Sequence, residues 1–152
     1  MRKIRKMTSV AVAVAAITTL SLATAGAAHA EVSKPFRLNH AIRTGNCTMF
    51  EGARWTLTVE VVGGKKVGVA KFDGTVTSSH NNDAWLMWAF LKDANGAVLG
   101  AVTNDLIQDP TDRAKFVMNL PDRRRPYRYF HSGKFDASKF NLIKKMELGK
   151  YC

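Results

Sequence analysis

Ala84-Trp85-Leu86-Met87-Trp88-Ala89-Phe90-Leu91 carries no charge, and Lys92-Asp93-Ala94-Asn95-Gly96 separates it from Ala97-Val98-Leu99-Gly100-Ala101-Val102. The first run is apolar at every position. Trp85, Met87, Ala89 and Leu91 point one way and Leu86, Trp88 and Phe90 the other. A strand reads like this when both faces of its sheet are covered. Asp93-Ala94-Asn95-Gly96 is a turn because Gly96, and to a lesser degree Asn95, tolerates positive φ and lets the chain reverse. The two runs predict a hairpin that the rest of the chain covers.

Moving outward, Arg54 to Val61 alternates, with Trp55, Leu57, Val59 and Val61 against Arg54, Thr56, Thr58 and Glu60. That is the pattern of a half-buried strand. Gly63-Gly64-Lys65-Lys66 turns the chain. Val67 and Val69 then fall on one parity while Ala70, Phe72, Gly74 and Val76 fall on the other, which predicts a bulge near Val69-Ala70. Asp109-Pro110 has the form of a helix start, yet Phe116, Met118 and Leu120 alternate as a strand does, and the strand reading is preferred. Tyr127, Tyr129, His131, Gly133 and Phe135 share one strand face. Asp136 is placed to cap a short helical turn carrying Phe140, Leu142 and Ile143. Lys145 to Cys152 closes as a strand with Met146, Leu148 and Cys152 on one side. About six to eight short strands, regular turn signals and at most one short helix define an all-β (β-rich) class, an antiparallel β-sandwich or small barrel. Residues 31–45 are polar and aperiodic and read as an extended lead-in; residues 46–152 read as a single β-rich domain.

The first thirty residues read as a cleaved signal peptide. Arg2, Lys3, Arg5 and Lys6 precede an Ala- and Val-rich run without charge, and Ala28-His29-Ala30 fits a small-x-small cleavage site. Thr18, Thr19, Ser21, Thr24 and Gly26 dilute that run below what a membrane anchor needs. The expected location is therefore secreted, extracellular. Of the net charge of +11, four positives belong to this segment. The remaining charge is segregated: residues 31–112 hold 8 basic and 9 acidic side chains, and residues 113–152 hold 11 and 3. Cys47 and Cys152 in an exported chain read as a disulfide, since neither has a second Cys or a His at metal-ligand spacing. Asn46-Cys47-Thr48 matches the glycosylation acceptor pattern and is read as chance.

Gly45-Asn46-Cys47-Thr48, Trp55-Thr56-Leu57, the run from Asp73-Gly74-Thr75-Val76 to Asp83-Ala84-Trp85, and Asp93 to Gly100 resemble an uncharacterised family of small exported proteins from actinomycete-type Gram-positive bacteria. The resemblance implies a compartment and no chemistry, and it transfers no functional residue.

The strongest candidate contact is Arg123-Arg124-Arg125-Pro126-Tyr127-Arg128. Arginine presents a forked donor suited to phosphate, sulfate or carboxylate, and a neighbouring tyrosine can stack on a sugar or base. Arg123, Arg124, Arg125, Tyr127 and Arg128 are therefore expected to meet an anionic partner such as a wall polymer, a lipid headgroup or a protein. Against this stands a solvated loop whose arginines pair with Asp109, Asp112 and Asp122. His80-Asn81-Asn82-Asp83 lacks the rhythm of a calcium loop and reads as a turn. His131, His40 and His80 are not at zinc spacing, and no Gly-x-Ser-x-Gly elbow is present. Trp55, Trp85 and Trp88 read as core rather than as a sugar platform. No cofactor and no metal site is called. The expected function is a non-enzymatic binding module with a basic C-terminal surface. The rivals are a secreted protease inhibitor, using loops 105–112 or 121–126, and a secreted hydrolase or toxin built on His80, Asp83 or His131.

Overall fold

Period-two alternation runs through most of the chain, and in the computed structural model, which describes residues 32–152, it produces eleven strands and one 3₁₀ turn. The signal-peptide reading lies outside the described residues. The strands are β1 (Ser33–Arg37), β2 (Ile42–Thr44), β3 (Cys47–Met49), β4 (Arg54–Val62), β5 (Lys65–Ser78), β6 (Asp83–Lys92), β7 (Val98–Ala101), β8 (Thr103–Asn104), β9 (Phe116–Leu120), β10 (Tyr127–Phe135) and β11 (Lys145–Tyr151). The strand count exceeds the expected range because β2, β3 and β8 are pairings of two or three residues, too short to leave a pattern.

Two antiparallel sheets face each other without closing into a barrel. The first runs β1-β4-β5-β10-β8, with β3 continuing the β4 side of β5 and β2 beside it. In the second, β6 pairs with β11 on one side and with β7 and β9 on the other. Trp55, Leu57, Ala70, Phe72 and Val76 from the first sheet meet Trp85, Met87, Ala89, Phe116 and Met118 from the second, all essentially inaccessible. Gly63 and Gly64, both at positive φ, form the two-residue loop between Val62 and Lys65. Positive φ at both positions is what a tight hairpin with native twist requires.

Two expectations need correcting. β5 contains no bulge: its pairing with β4 runs unbroken from Val62↔Lys65 to Arg54↔Asp73. Val67 and Val69 simply occupy the outer face, half-buried, while Gly68, Ala70, Phe72, Gly74 and Val76 face inward. The outer face of β6 is half-buried rather than covered by a further layer. Trp88 is shielded by the loop before β9, whose Asp112 accepts from Trp88 Nε1 at 2.7 Å and whose Lys115 Nζ lies 6.0 Å from the ring centroid. The lead-in is extended, as expected, but most of it is sheet: β1 pairs with β4 and β2 with β3. Its Lys34 faces inward and donates to the carbonyls of Phe140 (2.5 Å) and Ile143 (3.0 Å), and burial together with Lys144 lowers its pKa. Asp109-Pro110 starts no helix, in keeping with the preferred strand reading of Phe116 to Leu120. Asp109 Oδ1 instead accepts from Thr111 N and Oγ1, an Asx turn.

The expectations for the cap, for the faces of β9 and β10 and for the disulfide hold. Asp136 caps the turn Ala137–Lys139 by accepting from Ser138 N. β9 and β10 present the predicted faces. Cys47 and Cys152 form a disulfide with Cα atoms 5.9 Å apart, tying β3 of the first sheet to the end of β11 in the second.

Candidate functional site

The arginine-rich loop 121–126 joins β9 to β10, and its shape is fixed by neighbours rather than by its own sequence. Arg124 N donates to Ser78 O at 2.6 Å, Arg123 N to Asn81 Oδ1 at 2.8 Å, and Thr77 Oγ1 to Arg125 O at 2.9 Å. This clamping holds Arg124 at φ +61°, a left-handed conformation costly for a residue with a Cβ.

The five candidates divide into two groups. Arg128, though exposed, is committed to a carboxylate of its own chain: its Nε and Nη2 each donate to Asp73 at 2.9 Å, a bidentate pair that raises the guanidinium pKa and lowers that of Asp73. Arg125 Nη1 donates to Asp122 at 3.3 Å and Arg125 Cζ lies 5.3 Å from the Tyr127 ring centroid, while the Tyr127 hydroxyl donates to the same carboxylate at 2.7 Å. Burial, then the bond to Asp122, raises the Tyr127 pKa. Among the described residues, no carboxylate stands within ion-pair distance of Arg123 or Arg124.

Arg124 also acquires a partner the sequence did not nominate. Arg43, Thr48 and Thr77 are consecutive register partners across β2, β3 and β5 and share the outer face of the first sheet. With Asn46, Phe50 and Ser79 they form an open groove of about 630 Å³ that Arg124 borders from the loop side. Arg43 too lacks a carboxylate partner among the described residues. Its register position opposite Thr48 is the only signal that finds it, and that pairing cannot be read from residues 31–45.

The histidines do not assemble. His131 lies between the sheets, stacked on Tyr129 at 5.8 Å and edge-on to Phe116 at 5.6 Å, whereas His40 and His80 are exposed in loops. Cys47, Asp83 and Cys152 bring possible ligand atoms within 4.8 Å of one another. The two sulfurs are bonded together, however, and a metal needs thiolates.

Among the described residues neither ring nitrogen of His131 has a hydrogen-bond partner, and burial lowers its pKa. The neutral form is thus favoured on folding. The resulting stability is complete above the ordinary imidazole pKa of about 6.5 and is lost as pH falls below it toward the depressed folded value. Denaturant melts should therefore weaken between pH 7 and pH 5, and His131→Leu should flatten that slope. An unchanged slope would assign the loss to other groups.

A family profile matches residues 65–152, from the first residue of β5 through β11, more than half of the chain. The chain belongs to a family of unknown function, DUF6294. The DUF6294 match takes in Arg124 and Cys152 but stops short of Arg43 and Cys47, so the groove and the disulfide each have one side inside it. Neither the curated proteins nor the solved structures give a match. Among the described residues, no helix is long and apolar enough to cross a membrane.

Proposed function

We propose that this protein is an exported, non-enzymatic binding module of actinomycete-type Gram-positive origin that holds an anionic wall polymer in the groove between Arg43 and Arg124. The observation that carries this reading is that one groove is lined by Arg43 and Arg124, both without a carboxylate partner among the described residues, together with hydroxyl and amide side chains. Phosphate or carboxylate groups spaced along a polymer would take the two forks, and Asn46, Thr48, Thr77 and Ser79 would hydrogen-bond the chain between. Export is supported by the charge pattern of residues 1–30 and by the disulfide. The strained backbone at Arg124 supports a role for its side chain, because glycine would hold the same turn without strain.

Arg124→Gly separates binding from folding: it removes the guanidinium and relaxes the backbone. The double variant Arg43→Ala/Arg124→Gly should melt no lower than wild type plus the single Arg43→Ala. It should leave a phosphate-bearing wall polymer at lower salt, with a log–log salt slope reduced by about two, one per guanidinium. Retention unchanged from wild type would rule out the groove. Elution lowered equally by Arg125→Ala, whose guanidinium is already paired, would indicate bulk charge alone.

A second reading, inhibition of an extracellular protease, is favoured by the loop between β8 and β9. Asn104 Nδ2 donates to Gln108 Oε1 (2.8 Å) and Lys115 O (2.9 Å), and Gln108 bonds the backbone of Val117 in both directions (2.9 Å each). These contacts hold Leu106 and Ile107 at an exposed tip. A rigid loop with apolar side chains presented outward suits a protease cleft. Titration against a subtilisin- or chymotrypsin-type protease tests it, since an intact, uncleaved loop and stoichiometric loss of protease activity are both required.

A further inference from the structure

A separate cleft opens along the seam where the sheets fail to close, between the edge strands β1 and β11. It measures about 290 Å³ and is lined by Phe36, Leu38, Trp55, Phe72, Met146 and Leu148. That is close to the lower limit of ligand pockets, ~300 Å³. Its lining includes Trp55 and Phe72, each only 2% exposed, with ring centroids 5.2 Å apart. Trp55 Nε1 is buried without a hydrogen-bond acceptor among the described residues, an arrangement native interiors seldom tolerate. Trp85 has the same orphaned indole but lines none of the hollows described here, so it is the combination with an open apolar cleft that singles out Trp55.

A second, polar hollow is formed by Arg37, Leu38, Asn39, Glu51 and Gly52, and Arg37 and Leu38 line both. The Arg37 guanidinium lies over Gly52: a Cβ built there would stand 3.4 Å from Nη2. Among the described residues, no carboxylate is within ion-pair distance of Arg37, Glu51 included. The residues lining the site thus include an apolar set, a tryptophan with an unpartnered N–H and an arginine without a carboxylate partner among the described residues.

We propose that this seam binds an acidic amphiphile of the N-acyl amino acid class. The acyl chain lies between the sheets, the amide carbonyl accepts from Trp55 Nε1–H, and the carboxylate meets Arg37. The assignment shares no residue with the groove of Arg43 and Arg124, so either can fail without the other. Glu51 opposes an anionic head, and its neutralisation strengthens binding.

N-octanoylglycine is the probe, read by NMR of the ¹⁵N-labelled protein with the Trp55 indole resonance assigned by Trp55→Phe. The Trp55 indole N–H should shift saturably, and those of Trp85 and Trp88 should move little. Arg37→Ala should weaken binding about tenfold or more, as expected for loss of a charged hydrogen-bond partner. Glu51→Gln should tighten it, and Leu148→Trp, which fills the slot, should abolish it. If Leu148→Trp does not fold, Met146→Trp gives the same reading from the same wall. The proposal is overturned by no saturable shift at millimolar probe, by a shift confined to Trp88, or by octanol binding as tightly as the acid.

Discussion

Replacing Cys152 by Ser lowers the stability of this protein by about 4–5 kcal/mol, the chain-entropy value for cross-linking a loop of this size. The bond joins residues 105 positions apart, so nearly every strand lies inside the loop it closes. Its place in the fold adds to this. β3 and the end of β11 belong to different sheets, and β11 is held to its own sheet only through β6. Without the bond, the last strand keeps its pairing to β6 but loses its tie to the opposite sheet. Gly45, at φ +51°, packs against that junction; a Cβ there would come within 3.0 Å of Cys152 O. For a domain of this size the loss should lower the melting temperature by roughly 10–25 °C. Cys47→Ser should match Cys152→Ser, and the double variant should add little to either, because all three remove one bond. A drop of only a degree or two would mean that the sheets hold each other without the cross-link.

How much of this was legible depends on whether a feature is set by neighbours in sequence or across the fold. The β6–β7 hairpin was readable because its turn is local: Asp93 Oδ1 accepts from Asn95 N and Ala97 N, and Gly96 takes φ +88°. The Asp136 cap is local in the same sense. β1 escaped detection because Lys34 sits at an inward position, and the carbonyls that make this tolerable lie more than a hundred residues away. The apparent bulge in β5 arose from reading any valine as inward, whereas the outer face there carries Val67 and Val69 alongside Thr58. The surroundings of the candidate site were hidden for the same reason. Arg123, Arg124, Arg125, Tyr127 and Arg128 looked equivalent, but Asp73, 55 positions before Arg128, neutralises that arginine. Asp122 occupies Arg125 and Tyr127, as the loop reading anticipated. The charge excess of the last forty residues was correct as a count and incomplete as a location, since the groove takes its second guanidinium from β2.

Phe116→Ala should cost about 3–5 kcal/mol, the range for deleting a buried aromatic ring, and should also alter how the protein responds to acid. Phe116 belongs to β9 of the second sheet, yet its ring reaches the first, edge-on to Trp55 at 5.1 Å and 73° and to His131 at 5.6 Å and 68°. It fits there because Gly133 leaves room: a Cβ at Gly133 would stand 3.2 Å from Phe116 Cζ. Truncation therefore opens a cavity where the two sheets interlock, and close-packed neighbours collapse into such a space only in part. The cavity lies against His131, whose neutral form is favoured only because its ring is dry. Water admitted beside the imidazole lets it take up a proton in the folded state nearer its ordinary pKa. The variant should thus be less stable at every pH, but its loss of stability between pH 7 and pH 5 should be smaller than that of wild type. Denaturant melts of Phe116→Ala, His131→Leu and the double variant separate the two effects, because the shallower slope must vanish as a distinct contribution once His131 is gone. Leu142→Ala, at a side chain 53% exposed, is the control and should change stability by less than about 0.5 kcal/mol. A wild-type slope in Phe116→Ala would show that the ring holds the sheets together without keeping the histidine dry.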